Sequence, residues 1–393
     1  MPPPPQNITI LGAGITGLQT ALTLATAPSP PSSITLIAQY LPGNTHPTYT
    51  SPWAGGHWRS HASSAPKDAL ARAWDARTYA VWRNLLAFGD GTPGTEKETV
   101  EEREKRIGLG VRTSFNYWGT HTPETVAQGE GLWWRDVVDG FEVLSEEELG
   151  KGVVFGVKYE SVCINVPRYL EYMFERVKRC GVRVINTTFE TGAGLRGVVD
   201  DVKVILKREG LESPDIIINA TGLSARLFAD EDEQANLTPI RGQTVLVKGE
   251  AKAARTITHF GLEDEVAYVI PRVGSGTTIL GGCKQSGNSD EMVDGALSER
   301  ILRRIRDWGM ADELLRWEGG GFEVLSEQVG FRPGRRGGVR CEVEGGGRVG
   351  GVWVVHCYGH AGAGFQASVG CAEGVREIIR GVGGRGKGRG SKL

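Results

Sequence analysis

The residues nearest the N-terminus that could do chemistry are three glycines in the spacing Gly12-x-Gly14-x-x-Gly17. They follow the β-rich run Asn7–Leu11 and precede an apolar pattern of helical period over residues 18–25. Between a strand and a helix, the first glycine permits a tight turn and the second lets the backbone approach a pyrophosphate. The third lets the helix pack on the strand, and the helix N-terminus stabilises the phosphate charge. The motif therefore predicts a nucleotide site, with a plain βα turn as the alternative.

The second strand of this unit, at residues 34–37, lacks the acidic residue that usually binds the ribose hydroxyls of a dinucleotide. The strand is followed by Ala38-Gln39-Tyr40, and Gln39 can still offer a neutral hydrogen bond there. The missing carboxylate weakens the expected ribose contact and leaves the phosphate contact unchanged. Nicotinamide and flavin nucleotides both fit such a unit, so this motif alone leaves the cofactor open.

The helices and strands that must position these residues are predicted along the rest of the chain. Residues 95–106 form a charge run, which we expect to be a solvated loop or helix face in an insertion outside the core. Periodicity predicts helices at 167–179 and from 365 to about 380, strands at 182–185, 215–218 and 352–356, and short strands of an antiparallel second domain at 244–247, 266–270 and 277–280.

Composition narrows the classes of function. The chain has 393 residues, 57 of them glycine, without a glycine period of three, and 39% of the residues are hydrophobic, which excludes collagen and global disorder. A net charge of -2 gives no electrostatic case for nucleic acid. No apolar run approaches the roughly 18 residues that a membrane helix needs, and no signal-peptide pattern opens the chain. Small-molecule chemistry is the better expectation, and a homo-oligomer stays open.

The cysteines and the C-terminus indicate the compartment. The six cysteines lie far apart without a C-x-x-C pair, so we expect reduced thiols and no metal site. The last residues, Ser391-Lys392-Leu393, match the peroxisomal import signal, which predicts binding to the import receptor and a peroxisomal matrix location. The Gly/Arg/Lys-rich residues 381–393 are interpreted as a flexible tail that presents this signal; an RNA-binding segment is the alternative.

Seven further segments resemble, in the same order, the motif series of the D-amino-acid oxidase family. They are Thr50-Ser-Pro-Trp-Ala-Gly-Gly56, Asn219-Ala-Thr-Gly222, Pro239-Ile-Arg-Gly-Gln-Thr244, Tyr268-Val-Ile-Pro271, Gly281-Gly282, Gly330-Phe-Arg-Pro333 and Tyr358-Gly-His-Ala-Gly-Ala-Gly364. The resemblance implies FAD as cofactor, and oxidation of a D-amino acid to an imino acid with reduction of O2 to H2O2.

The resemblance also implies the architecture, an α/β fold of two domains. A Rossmann-like FAD-binding domain would comprise residues 1–60, 150–230 and 325–393. A mixed-sheet substrate-binding domain would comprise residues 61–149 and 231–324.

By the same resemblance, Arg332 is similar to the arginine that binds the substrate α-carboxylate through two parallel hydrogen bonds. Tyr268 resembles the tyrosine whose hydroxyl touches that carboxylate, with a core residue as the alternative. Arg335, Arg336 and Arg340 are expected on a solvated face. The residues at family cofactor positions are Gly12, Ala13, Gly14, Ile15, Thr16, Gln39, Thr45, His46, Ser51, Ala54, Gly55, Gly56, Ile164, Gly362, Ala363, Gly364, Phe365 and Gln366.

Lys284 and His61 bear on the substrate, together with Gly362 of the C-terminal glycine turn. D-aspartate oxidases of this family carry a cation at the Lys284 position and a histidine at the His61 position. A buried cation facing an apolar substrate would be unpaired and costly, so Lys284 favours an acidic substrate, D-aspartate and also D-glutamate. If Lys284 instead turns to solvent, a broad oxidase of neutral D-amino acids is the alternative. The acidic segment 259–266 lacks an arginine that some D-aspartate oxidases place there.

Two hypotheses of other classes stay open. A nicotinamide-dependent dehydrogenase would use the same glycine motif, and a bound-flavin absorbance spectrum distinguishes it from an oxidase. A non-catalytic binding protein on the same scaffold would leave Arg332 and Tyr268 dispensable.

Overall fold

Two β-sheets with flanking helices make up the computed structural model, which describes residues 6–150, 152–258, 260–261, 264–316 and 320–384. The strands in this part of the chain are β1 (Asn7–Leu11), β2 (Ser33–Ala38), β3 (Leu109–Trp118), β4 (Glu142–Val143), β5 (Phe155–Ile164), β6 (Arg183–Asn186), β7 (Ile216–Asn219), β8 (Leu237–Lys248), β9 (Ala254–Thr258), β10 (Glu265–Arg272), β11 (Thr277–Cys283), β12 (Gln285–Ser286), β13 (Val324–Arg335), β14 (Arg340–Val343) and β15 (Trp353–Tyr358).

The helices are α1 (Ile15–Ala25), α2 (Ala69–Phe88), α3 (Val100–Ile107), α4 (Val126–Gly129), α5 (Val166–Arg179), α6 (Gly194–Arg208), α7 (Glu231–Asn236), α8 (Gly295–Asp307) and α9 (Ser368–Gly384). The helix predicted from residue 365 therefore begins at Ser368 and continues to Gly384. No helix of the described residues is both long and apolar enough to cross a membrane. The import signal and the rest of the tail beyond Gly384 lie outside the described residues.

The first sheet has the strand order β14-β15-β7-β1-β2-β6, parallel except for the antiparallel pair β14–β15. Its four central strands, β15, β7, β1 and β2, are buried on both faces, as expected for a parallel sheet between helices. On one face, Ile8 and Ile10 of β1 pack in one core with α1, α5 and α9. On the other, Leu11 packs with Val198 and Val202 of α6.

The connections make β1 a switch point of this sheet. The chain passes from β1 to β2 on one side, whereas β7 lies on the other side of β1. Nucleotides bind in the crevice at the carboxyl ends of the strands where the strand order reverses in this way. The predicted βαβ unit is confirmed, and its glycine turn follows β1 at that crevice.

The second sheet is mixed and has the order β12-β8-β11-β10-β9-β3-β5-β4, with β13 paired to β8. Its pairs are antiparallel except for β3 with β9. Helix α8 packs Leu297, Ile301 and Ile305 into the same core as Val245 and Val269 of the sheet. The predicted short strands of the second domain are therefore present, and the two-domain α/β class is confirmed.

Two strands belong to the second sheet although they fall within the residue ranges expected for the FAD-binding domain. Strand β5 pairs with β3, and β13 pairs with β8 over eleven positions from Val324 to Arg335. Strand β13 reaches the cavity described below through Gly330, Arg332 and Pro333. The domain boundaries themselves stay a prediction.

The charge run at residues 95–106 is more ordered than a solvated insertion. Its second part is α3, which begins with a capping box between Thr99 and Glu102. Arg106 donates to Glu98 at 2.6 Å and lies 3.3 Å from Asp90, whose side chain is fully buried. These ion pairs attach the segment to the core, so the expectation of a purely solvated face is wrong for Arg106.

The arginines after β13 also differ from their expected solvated face. Arg335 donates two hydrogen bonds to the buried Glu233, at 2.7 and 2.8 Å, and the Tyr358 hydroxyl donates to the same carboxylate. Arg340 is half-buried and donates to the Tyr358 hydroxyl at 3.0 Å. Only Arg336 is exposed as expected. The expectation is wrong for the other two arginines, because Glu233 of α7 pairs with Arg335, and Glu342 and Glu344 pair with Arg340.

Candidate active site

One cavity of about 420 Å³ extends from the glycine turn after β1 to the ends of β10, β11 and β13. It therefore lies between the two sheets. Most of the residues predicted from the sequence line it: Gly12, Ala13, Gly14, Ile15, Thr16, Gln39, Ser51, Ala54, Gly55, Gly56, His61, Tyr268, Lys284, Arg332, Gly362, Gly364, Phe365 and Gln366.

The nucleotide end of the cavity is built on the turn at Gly12. Gly12 has φ +101°, and a Cβ there would lie 2.6 Å from the Ala220 carbonyl oxygen. Ser51 Oγ accepts a hydrogen bond from the Ile15 N–H at 3.0 Å, and the Tyr49 hydroxyl donates to the Ala13 carbonyl at 2.7 Å. These contacts hold the start of α1 open to the cavity, where its N–H groups can bind a phosphate.

The other end of the cavity is bordered by the loop after β15. The Ala361 N–H donates to the Pro333 carbonyl at 2.9 Å, which attaches the loop to the end of β13. A methyl group on Gly362 would lie 3.2 Å from His61 Cε1 and 3.8 Å from Arg332 Cδ. The loop and the predicted substrate residues are therefore in contact. Gln366, further along, donates from Nε2 to Asp75 Oδ2 at 2.9 Å.

Four predicted cofactor residues are not among the described residues that line the cavity: Thr45, His46, Ile164 and Ala363. His46 is exposed and stacks on Tyr40, which does line the cavity, with ring centroids 4.9 Å apart. Ile164 is buried, and its N–H donates to the Gly56 carbonyl at 2.7 Å. The Ala363 N–H donates to the His360 carbonyl. None of these four residues lines the cavity, and their cofactor roles stay predictions.

Arg332 is positioned by the pairing of β13 with β8. Its Nη1 donates to the Cys283 carbonyl at 3.1 Å, and its guanidinium lies beside the Tyr268 hydroxyl. A Cβ on Gly242, in the neighbouring strand, would lie 2.6 Å from Arg332 Nη1, so only glycine leaves room for the guanidinium there. Burial raises the pKa of Tyr268, and its hydroxyl stays protonated and able to donate.

Lys284 directly follows β11 and lines the same part of the cavity, and the residue is still more than a third exposed, so its charge stays partly solvated. Burial, then the charges of Arg59 and Arg332, lower its pKa from 10.5 to about 8. Burial also lowers the pKa of His61 well below 6.5, and the charges of Arg59, Lys284 and Arg332 add to this effect. His61 is exposed only to the cavity and is neutral near pH 7, with one N–H to donate.

Arg59 is a cavity residue that the sequence analysis missed. The segment from His57 to His61 is extended, and His57, Arg59 and His61 all line the cavity. The intervening residues point the other way, since Trp58 Nε1 donates to the Asp75 carbonyl at 3.0 Å and Ser60 Oγ to Asp75 Oδ2 at 2.7 Å. The two-residue alternation of an extended chain was the available signal.

The cavity is therefore strongly basic. Arg59, Lys284 and Arg332 line it, and none of the three has a carboxylate partner in the described part of the chain. No Asp or Glu occurs among the described residues that line the cavity. Burial lowers the pKa of Arg59, which indicates how poorly its charge is compensated. Such a surface is suited to binding a ligand with several negative charges.

The glycine turn at one end and the glycine loop at the other are the two ends that a flavin dinucleotide would need. A phosphate-binding helix start, an uncharged polar Gln39 and a loop without bulky side chains fit FAD along the length of the cavity. These features define a flavoprotein of the Rossmann type with a basic pocket at one end of its cofactor cavity.

Comparisons with known proteins also indicate an FAD-binding protein. The FAD dependent oxidoreductase family matches residues 7–378. A D-amino-acid oxidase of Fusarium vanettenii is 31% identical over 385 residues, covering 96% of this chain and 97% of that protein. A D-aspartate oxidase of Talaromyces thermophilus is 29% identical over 398 residues, covering 95% of each. The solved L-α-glycerophosphate oxidase of Mycoplasma pneumoniae, with FAD bound, has a TM-score of 0.64 at 16% identity, covering 95% of this chain and 94% of that one.

The chain therefore belongs to the FAD dependent oxidoreductase family that includes D-amino-acid oxidases and D-aspartate oxidases. FAD is its cofactor, as the resemblance implied. The nicotinamide alternative is not supported, since the family match spans nearly the whole chain.

The turn at Gly12 gives a test of the cofactor site. We expect Gly12→Ala to weaken FAD binding more than about tenfold, because the added methyl group would collide with the Ala220 carbonyl and displace the phosphate-binding turn. Gly43→Ala is the matched control, since Gly43 has φ +100° and no atom within 4 Å of an added Cβ. Flavin absorbance of the purified variants measures the outcome, and equal loss of FAD in both would contradict this role for the turn.

Proposed function

We propose that the protein oxidises acidic D-amino acids, D-aspartate and also D-glutamate, with O2 reduced to H2O2 and release of a 2-oxo acid and ammonium. The observation that carries this proposal is the convergence of Arg332, Lys284 and Arg59 on one cavity without a described carboxylate in its wall. The two relatives named above are a D-amino-acid oxidase and a D-aspartate oxidase, so the family supports the reaction and leaves the substrate to the pocket.

The number of cations favours two carboxylates on the substrate. Arg332 alone can bind one carboxylate through two parallel hydrogen bonds. Lys284 and Arg59 would then face the substrate side chain, and their charges repel each other and Arg332. A second carboxylate would compensate them, whereas an apolar side chain would displace water from two cations and leave them unpaired.

The residues of this chain would orient the substrate more than exchange protons with it. Arg332 and the Tyr268 hydroxyl bind the α-carboxylate and so fix the direction of the Cα–H bond. His61, neutral near pH 7, lies beside Gly362 of the glycine loop and has one N–H that can donate to the substrate. Bound FAD supplies the acceptor for the hydride that leaves Cα.

The second candidate is a broad oxidase of neutral D-amino acids. It is favoured by the D-amino-acid oxidase relative, which covers as much of this chain as the D-aspartate oxidase relative does. The two candidates differ in whether binding of the substrate requires the charges of Lys284 and Arg59. An acidic substrate requires them, and a neutral substrate does not.

Removing either of these cations should change substrate preference. We expect Lys284→Met and Arg59→Met to lower kcat/KM for D-aspartate by about 10- to 100-fold, since a hydrogen bond to a charged group contributes about 1.5–3 kcal/mol. The value for D-asparagine, its neutral isostere, should change by less than about threefold. Oxygen uptake with both substrates measures the ratio.

Lys252→Met is the matched control, because Lys252 is exposed and does not line the cavity. It should leave both substrates unchanged. Equal losses with D-aspartate and D-asparagine in the cavity variants would contradict the pairing of these cations with the side-chain carboxylate. Faster turnover of D-alanine than of D-aspartate by the unaltered protein would favour the neutral-substrate candidate.

The pKa of Lys284 adds a dependence on pH. Because its pKa is about 8 in the folded protein, its positive charge is present below pH 8 and is lost above it. The ratio of kcat/KM for D-aspartate to that for D-asparagine should therefore fall about tenfold between pH 7 and 9. Lys284→Arg should keep the ratio level over this range, because guanidinium stays charged. A level ratio in the unaltered protein would exclude Lys284 as the titrating group.

We also propose a peroxisomal matrix location through the C-terminal Ser391-Lys392-Leu393, which lies outside the described residues. The proposed product H2O2 is compatible with that compartment. A fluorescent fusion at the N-terminus should be imported into peroxisomes, and removal of the last three residues should leave it in the cytosol. Import of the shortened chain would refute the role of this signal.

A further inference from the structure

Three cysteines that are far apart in the sequence meet beneath the glycine loop. Cys341 of β14 lies directly opposite Cys357 of β15 in the antiparallel pair, and Cys371 lies in the first turn of α9. Their sulfur atoms all lie within 4.8 Å of one another, and the Cys357 and Cys371 Sγ atoms are 3.4 Å apart. No disulfide joins them.

A fourth donor lies beside the thiols. His360 Nε2 is 3.4 Å from Cys371 Sγ, and the His360 side chain is buried. An imidazole nitrogen is a usual ligand of ions that also bind thiolates. In the sequence, His360 lies three residues after Cys357, just beyond the end of β15.

The distances between the sulfurs match those around a tetrahedral ion. Zinc binds thiolates at about 2.3 Å, which places two thiolate sulfurs about 3.8 Å apart in a tetrahedral site. The three sulfurs already lie within 4.8 Å of one another, with one pair at 3.4 Å, so small side-chain rotations would bring them to this spacing. Two of the three come from paired strands, which hold the spacing rigid.

The charge of such a site also suits its position. Three thiolates and one dication carry a net charge of -1, which the N-terminal turn of α9 beside Cys371 would stabilise. The three thiols would release their protons when the metal binds.

We propose that Cys341, Cys357 and Cys371 bind one soft dication of the zinc type, with His360 Nε2 as the nearest candidate for the fourth ligand. Thiolate and imidazole donors select such an ion over the harder magnesium and calcium. The site would join β14, β15 and α9 behind the loop that borders the cavity. This site is independent of the proposed substrate.

The test is metal analysis of the purified, flavin-bound protein, prepared with Zn²⁺ and without chelators. We expect about one zinc per chain. Replacing Zn²⁺ by Co²⁺ should give the absorption bands of tetrahedral thiolate-bound cobalt in the red, beyond the flavin bands. Cys341→Ser should weaken Zn²⁺ binding more than about tenfold, since loss of even an outer partner of a metal ligand costs that much. Cys180→Ser is the matched control, because Cys180 is exposed and remote from the cluster.

Two results would overturn the site. One is unaltered protein that holds no zinc above the buffer background after incubation with Zn²⁺ and shows no cobalt bands. The other is a disulfide between Cys357 and Cys371, found by counting free thiols in denaturant. Both measurements use the unaltered protein, so they hold even where Cys341→Ser fails to fold. Neither uses turnover, so failure of the substrate proposal leaves their meaning unchanged.

Discussion

A single buried carboxyl group, that of Asp75 in α2, connects the parts of the chain that form the cavity. Its Oδ2 accepts hydrogen bonds from Ser60 and Gln366, and its backbone carbonyl accepts one from Trp58. Ser60 and Trp58 lie in the extended segment that carries Arg59 and His61, and Gln366 follows the glycine loop. Burial raises the pKa of Asp75 to about 6, so its hydrogen bonds are strongest above that pH. Through this group α2 fixes both walls of the site.

The positive charges that line the cavity repel each other when no ligand is bound. The charge of Arg59 lowers the pKa of Lys284, and burial lowers the pKa of Arg59 itself. Proteins retain such uncompensated charges where ligand binding offsets their electrostatic cost. The charges needed for function then lower the stability of the ligand-free fold. A ligand with two carboxylates would relieve this repulsion, so it should bind to the site and stabilise the fold at the same time.

Local patterns were enough to predict the nucleotide end, because the turn at Gly12 depends on residues that are adjacent in sequence. The substrate end depends on pairings across the chain. Arg335 was expected in solvent because Glu233, its partner, lies 102 residues away. The three-cysteine cluster was not expected, because the cysteines are more than ten residues apart in the sequence. Only the register of β14 with β15 shows that Cys341 and Cys357 are neighbours. Arg59 was the exception, because it lies two residues before His61. In an extended segment, residues two apart lie on the same side, so Arg59 could have been predicted as a cavity residue.

The loop after β15 takes part in both sites. Cys357 and His360 line the cavity, and each also contacts the Cys371 thiol. If the proposed reaction releases peroxide at this cavity, these thiols would be exposed to it. Coordination to a metal would use one lone pair of each sulfur, and oxidation of a sulfur would remove it as a ligand. Metal binding and oxidation would therefore compete for the same three sulfur atoms.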